Sequence, residues 1–525
     1  MKRIVMTLLA IVLGAPVASA QATTAALLDT VQHASFLFFW NEANPSNGLI
    51  RDRSQSWSPC SIASLGFGLS SICVGVDHGW VTREAGRDRV RTALQTLWTG
   101  PQGSGASGFI GYKGFYYHFL DMTTATRTWD CELSTIDTAL LFAGVLDCKQ
   151  YFTGSDTAET SIRALADSIY RRADWEFFRN ATAGLYMGWK PGTGFTGYGL
   201  WRGYNEAMIL YILGLGSPTH AIPSGCWTFW TGTYSWQTQY GKTYVVFAPL
   251  FGHQYSHCWI DFRYIADAYM RGKGITYFEN SRRATLAQRA YAIANPGGWV
   301  GYSDSLWGLT ASDSPTGYGE RGAPPAKNDE GTITPTAPVS SLPFAPTEML
   351  PVIRNLYFDY PPLWGPYGFR DAFNLSVGGT WWDTDYIGID QGPIVLMIEN
   401  YLTNAVWDRF MQNPDIQLGL TRAGFQAVPG AGVEPRAGAE ELLAWSAPNP
   451  FTRMTTIRFR LPQAGPVRLA VFDLEGRQVS RLVDGERPAG EQAATWQAGE
   501  VPSGVYYVRL EAGGRAVTKR LVRVR

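Results

Sequence analysis

The chain has no excess of either charge: its 525 residues carry 44 Lys plus Arg against 44 Asp plus Glu, for a formal net charge of zero. A nucleic-acid partner calls for a basic stripe, and none is visible, so that class is excluded. The basic cleft that a uronate-cleaving lyase would need is equally missing. Beyond the first twenty residues no run of about 18 apolar residues occurs, so no membrane-spanning helix is expected. The sequence contains no HExxH pair, EF-hand loop or GxSxG elbow after a strand. Histidine is scarce, at six residues. Only His253 and His257 stand four apart, and without the HExxH context they are not expected to hold a metal. No CxxC pair occurs among Cys60, Cys73, Cys131, Cys148, Cys226 and Cys258. Disulfides between them are left open, because an even number of cysteines suits an oxidising compartment. No cofactor is expected.

That compartment follows from the first residues. Lys2 and Arg3 precede an apolar run from Ile4 to Val17, and Ala18-Ser19-Ala20 offers small residues for cleavage. Residues 1–20 therefore read as a secretory signal peptide, and the mature chain as exported. Aromatics are plentiful, with 20 Trp and 26 Tyr. Many must be core, but rings with an apolar body and a polar tip also suit sugar faces.

Helical patterns are expected over 24–40, 61–75, 82–98, 132–150, 157–179, 205–215, 257–271, 279–294, 346–357 and 390–411. Long Gly- and aromatic-rich loops lie between them, among them "GFIGYKGFYYHFLD", "GWKPGTGFTGYGLWRGY" and "SDSPTGYGERGAPPAKNDEGTITPTAP". Loops of this kind are more often functional than idle. The arrangement predicts an all-α domain over 21–425, an α/α toroid with a cleft built by loops at one end. A Pro/Gly/Ala linker over 426–445 follows. Residues 446–525 then read as short alternating strands, a small all-β sandwich.

Three segments carry acids that could do chemistry. In "WDCELSTIDTALLFAGVL", Asp130 and Glu132 stand at a helix entrance and Asp137 about a turn further in. The Ser134–Asp137 spacing also fits a capping box. In "RGYNEAMILYILGLG", Glu206 heads an oily helix. There the helix dipole would lower its pKa, while burial among Trp201 and Tyr204 would raise it. The third segment, "YGFRDAFNLSVGGTWWDTDYIGIDQGPIVLMIENY", holds Asp371, Asp383, Asp385 and Asp390, with Asp390 opening another apolar helix. Asp137, Glu206 and Asp390 each have a capping alternative. Two remote helices headed by acids behind aromatic loops would nevertheless make a glycosidase pair, one carboxyl protonating the leaving oxygen and the other activating water.

Two resemblances sharpen this. "APNPFTRMTTIRFRLP", "VRLAVFDLEGRQVSRLV" and "PSGVYYVRLEAGGRAVTKRLVRV" resemble the FlgD-like immunoglobulin sorting tails of type IX-secreted proteins. That resemblance implies delivery to the cell surface or medium through the type IX machinery. "GYNEAMILYILGLGSPTHAIP", "LSTIDTALLFAGVL", "GAPPAKNDEGTITPTAPVSSLPFAP" and "YGFRDAFN…DYIGIDQGPIVLMIENY" resemble the glycoamylase-like domain of bacterial endo-β-1,2-glucanases, glycoside hydrolase family 144, over roughly 27–412. This implies an (α/α)6 toroid that acts as an inverting, endo-acting hydrolase of β-1,2-glucan and releases sophoro-oligosaccharides. Matched by motif, Glu206 would be the general acid and Asp390 the base, with Asp137 competing for the base role. Asp130, Glu132, Trp201, Tyr204, Arg370, Asp371, Trp382, Asp385 and Gln391 would contact substrate or support those that do. An exo-acting or transglycosylating enzyme on a β-glucan, or a non-catalytic glycan binder, stands as the alternative.

Overall fold

The computed structural model describes residues 24–428 and, towards the C-terminus, 443–447, 451–461, 463–473, 476–499 and 501–523. The signal peptide and the body of the linker lie outside the described residues. Fifteen α-helices occur among the described residues, all before residue 423. They are α1 (Thr24–Asn41), α2 (Ile62–Asp77), α3 (Arg83–Thr99), α4 (Thr135–Tyr151), α5 (Thr157–Arg171), α6 (Trp175–Arg179), α7 (Met208–Gly216) and α8 (Gly225–Thr231). The rest are α9 (Ala268–Lys273), α10 (Tyr277–Ala294), α11 (Thr336–Ser340), α12 (Pro346–Asp359), α13 (Gly388–Leu402), α14 (Ala405–Phe410) and α15 (Pro414–Arg422).

Two kinds of helix are present, and their sequences say why. Surface helices such as α5 carry one apolar stripe, with Ile162, Ala166, Ile169 and Tyr170 buried. Helices α2, α4, α7 and α13 are apolar on every side and almost wholly buried, as a helix enclosed by others must be. Their packing depends on glycine. A Cβ on Gly66 of α2 would stand 2.3 Å from the Leu140 carbonyl oxygen, and one on Gly144 of α4 would stand 2.0 Å from that of Gly66. The two backbones therefore touch, and any larger residue would force them apart. All four buried helices begin on the same side of the domain, at the cavity described below.

Several expected helices change on inspection. The 157–179 segment breaks after Arg171, because Asp174 accepts the Phe177 N–H and starts a separate turn. The 390–411 segment breaks where Asn404 adopts a left-handed φ of 61°. The helix expected over 257–271 is largely absent. Residues Tyr255–Cys258 form a single 3-10 turn, Ile265–Ala266 pair with Gln426–Ala427, and Asp267 caps the short α9. Residues 426–428 thus belong to the helical domain rather than to a linker, with Val428 N–H donating to the Tyr264 carbonyl at 2.8 Å. All six cysteines are buried free thiols; the nearest approach, Cys73 Sγ to Cys148 Sγ, is 3.7 Å.

Near the C-terminus, seven strands form two antiparallel sheets. One has the order Leu443–Ala447, Met454–Leu461, Gly490–Gln497; the other Gln478–Arg487, Gly465–Phe472, Gly504–Ala512, Arg515–Arg523. Phe459, Trp496, Leu469, Val471 and Val508 share one apolar core between them. The first strand begins at Leu443, three residues before the expected boundary.

Candidate active site

A cavity of about 630 Å³ lies where the four buried helices begin, and acids from distant parts of the chain meet on its wall. Glu206 and Asp137 line it, together with Asp52, Asp313 and Glu320. Glu206 stands two residues ahead of α7 rather than in its first turn. The Asn205 side chain accepts the Ala207 N–H at 3.0 Å, and Ser256 Oγ accepts the Ile209 N–H at 3.0 Å. Those borrowed oxygens satisfy helix-start amides that Glu206 would otherwise serve, and leave its carboxyl to the cavity. Burial pushes Glu206 up to about 7, with the charges of Glu320 and Asp137 adding to the effect. Between dipole and desolvation, desolvation wins here.

Asp137 sits at the third position of α4, where Ser134 Oγ accepts its N–H at 3.3 Å and donates to its carboxylate. The same carboxylate oxygen lies 3.5 Å from His118 Nε2, while His118 Nδ1 lies 3.0 Å from Glu132. Burial alone would lower His118, but the carboxylates of Asp137 and Glu132 outweigh it and push it up to about 9. The capping box and the cavity contact therefore coexist on one residue.

Asp390 lies in the first turn of α13 with no capping contact, directly behind the Ile387 and Ile389 of the cavity wall. Burial raises it to about 8, moderated by a hydrogen bond with Asp371. Burial and the charge of Asp390 raise Asp371 well above the usual carboxyl range, so the two acids titrate as a pair. Asp371 Oδ2 accepts the Asp313 N–H at 2.7 Å, while its Oδ1 is buried with no hydrogen-bond partner among the described residues. Arg53 braces this side, with its guanidinium 2.8 Å from Asp313, 3.2 Å from Asp385 and 3.4 Å from Asp52.

With this geometry, comparison with known proteins becomes informative. The Glycoamylase family model ("putative glucoamylase") matches residues 199–414. A solved structure under the same description, from Bacteroides uniformis, is 36% identical with a TM-score of 0.72, covering 78% of this chain and 98% of that one. The chain belongs to the glycoamylase-like proteins of glycoside hydrolase family 144 type. An endo-β-1,2-glucanase from Chitinophaga pinensis, solved with sophorotriose and glucose, is 29% identical to it with a TM-score of 0.70, over 77% of this chain and 99% of that one. An exo β-1,2-glucooligosaccharide sophorohydrolase (non-reducing end) from Parabacteroides distasonis is 32% identical over 430 residues, 75% of this chain. This chain spans 57% of that relative's length. The model "Secretion system C-terminal sorting domain" matches residues 447–524, which marks the protein for export to the cell surface or medium.

Within the glycoamylase-like domain, several residues expected at the substrate lie elsewhere. Trp201 is buried with its indole N–H on Thr135 Oγ1, and Tyr204 packs among Trp230, Tyr234 and His253. Trp382 stacks on Phe373, and the Gln391 amide donates to the Phe369 carbonyl. These four hold the core. Asp130 is exposed and paired with Arg127 and Lys190, outside the cavity lining. Arg370 donates to the Asp383 and Thr384 carbonyls, orienting the loop that carries Asp385. Burial pushes Asp383 in that loop up to about 6. His253 and His257 are core residues that burial pushes down to about 3, bonded to the Phe247 carbonyl and Ser281.

Sequence reasoning missed Asp52, Arg53, His118, Tyr255, Asp313 and Glu320 on the cavity wall. His118, Asp313 and Glu320 lie in or beside loops whose composition already marks them as functional; nothing local singles out the other three. His118, Glu132 and Asp137 each bring a ligand atom within 4.8 Å of the others, as do Asp313, Asp371 and Asp383, so either set has the donors for a cation. In the first set the imidazole already lies between two carboxylates, and in the second Arg53 supplies the positive charge.

Proposed function

We propose that this domain, an (α/α)6 toroid, hydrolyses linear β-1,2-glucan at internal linkages with inversion, releasing sophoro-oligosaccharides. The observation that carries this reading is Glu206, a buried carboxylic acid held near neutrality on a cavity also lined by Asp52, Asp137, Asp313 and Glu320. A general acid works best when its pKa lies near the working pH, so that it is protonated yet able to give the proton up. Glu206 protonates the glycosidic oxygen as the bond breaks. Asp390, in its ionised form, takes a proton from the attacking water on the opposite face of the sugar. Asp137 is the second reading for the base, favoured by its place on the cavity wall beside His118. Endo action is supported by the match over 99% of the length of the C. pinensis endo-glucanase. The immunoglobulin-like reading of the C-terminal sheets, with the type IX machinery as their partner, belongs to the same proposal.

Linear β-1,2-glucan incubated with the protein should give a ladder of intermediate lengths from the earliest times. The first-formed products should be α-anomers by proton NMR. Disaccharide as the sole early product would replace endo with exo action, and initial β-anomers would remove the inverting mechanism.

A further inference from the structure

Two tryptophans at the edge of the cavity are among the most exposed large apolar residues described. Trp57 is 62% exposed and Trp129 55%, and both line the cavity that holds Glu206. Their ring centroids stand 6.0 Å apart with the planes tilted by 42°. Trp129 also leans on Phe119 at 5.1 Å, and Phe119 stacks on His118 at 4.0 Å. The aromatic surface thus runs without a break from the rim to the acid cluster.

Both rings sit on loops built to hold them out. Trp129 and Asp130 adopt consecutive left-handed conformations, φ 57° and 48°, which cost about 1–3 kcal/mol each in a non-glycine residue. Arg127 pays that cost locally: its guanidinium donates to the Cys131 carbonyl at 2.7 Å, the Ala106 carbonyl at 2.9 Å and the Asp130 carboxylate at 2.6 Å. The Trp57 loop is pinned the same way, with Arg51 Nη1 donating to the Ser56 and Ser58 carbonyls at 2.5 and 3.2 Å. A bare, pre-positioned pair of indoles continuous with a cavity is the chemistry that recognises the apolar C–H face of a hexopyranose, with no charge required.

We infer that Trp57 and Trp129 form a remote sugar-binding subsite that grips the glucan chain as it leaves the cavity and sets the protein's preference for long over short substrates. This rests on the glucanase reading above for the identity of the chain it grips. The subsite binds a pyranose ring by stacking and takes no part in bond cleavage.

The test uses the full exported chain and a set of linear β-1,2-glucans from short oligosaccharides to polymer, with β-1,3- and β-1,4-glucans alongside. Trp57→Ala and Trp129→Ala should each raise KM for the polymer about ten-fold, the worth of one well-packed aromatic contact. The effect should shrink as the substrate shortens, and phenylalanine at either position should restore most of it. Trp98→Ala, an exposed tryptophan outside the cavity lining, serves as the control and should leave KM unchanged. Equal KM values for wild type and the Trp57/Trp129 double alanine variant across all lengths would overturn the subsite. If wild type cleaves only another glucan, the β-1,2 reading falls. The subsite then stands if the two variants raise KM for that glucan, and falls if they do not.

Discussion

Replacing Glu206 by glutamine should lower kcat on linear β-1,2-glucan by about 10³-fold or more, the range a positioned general acid supplies. The amide fills the same buried space but has no proton to give to the leaving sugar oxygen. An aryl β-glycoside with a good leaving group, offered as substrate, needs no such proton and should be cleaved at a rate much closer to wild type. The pH profile follows from the same group. Glu206 must be protonated to act, so it contributes a loss of kcat/KM as pH rises through about 7, and that contribution should vanish in the variant. Stability moves the same way. Burial holds the folded-state pKa near 7, above the ordinary carboxyl value of 4.5. Between those values the unfolded chain gives up a proton that the folded chain keeps, so stability drains away as pH rises across this window. Glu206→Gln carries no such penalty and should gain Tm over wild type at pH 8 relative to pH 4. A variant that loses activity and Tm together at pH 8 would show a folding defect instead of a missing acid.

The second large effect is structural. Asp147 of α4 has no exposed surface, and Arg409 of α14 grips it with two parallel contacts of 2.6 and 2.9 Å. Against burial, which would lower it, Asp147 holds the Arg409 guanidinium far above its usual range. Removing one partner strands the other in a low-dielectric interior. Asp147→Ala should therefore cost about 3–5 kcal/mol in urea denaturation. Arg409→Met should be comparably harmful, since it leaves the carboxylate alone. Pairing Asp147→Leu with Arg409→Met should recover part of the loss, because the one carboxylate then left without its cation, Asp77 at 3.8 Å from Arg409, keeps the Tyr151 hydroxyl as a donor. Additive losses in the double variant would mean that the two residues act separately.

How far these sites could be read from sequence depends on how local their causes are. The start of α3 was legible because Thr82 itself accepts the Ala85 N–H at 3.2 Å. The start of α7 was not, because its cap comes from Ser256, about fifty residues downstream. The oily run around Glu206 correctly announced a buried helix, yet placed the acid inside it. The 257–271 helix failed because the backbone of Ile265 and Ala266 is claimed by a partner 160 residues away. The acid positions Glu206, Asp390 and Asp137 were visible as helix-head carboxyls. Asp313 and Arg53 were not, since their roles exist only once four loops close over one another. Aromatic neighbours misled: adjacency in sequence put Trp201 and Tyr204 at the cavity, whereas each turns inward to its own core partner.

The Arg53 brace has a consequence for how the rim moves. Arg53 pairs in backbone register with Ile387, Ser54 N–H donates to the Tyr386 carbonyl, and Gly388 N–H donates to the Asp52 carbonyl at 2.7 Å. Asp313 N–H reaches Asp371, whose own N–H reaches the Asp385 carbonyl at 3.0 Å. Strips of chain from three remote stretches, each without helix or long strand of its own, are thus welded into a single cooperative unit. Such a unit opens all together or not at all. The entrance therefore behaves less like a set of independent flaps than like a rigid collar.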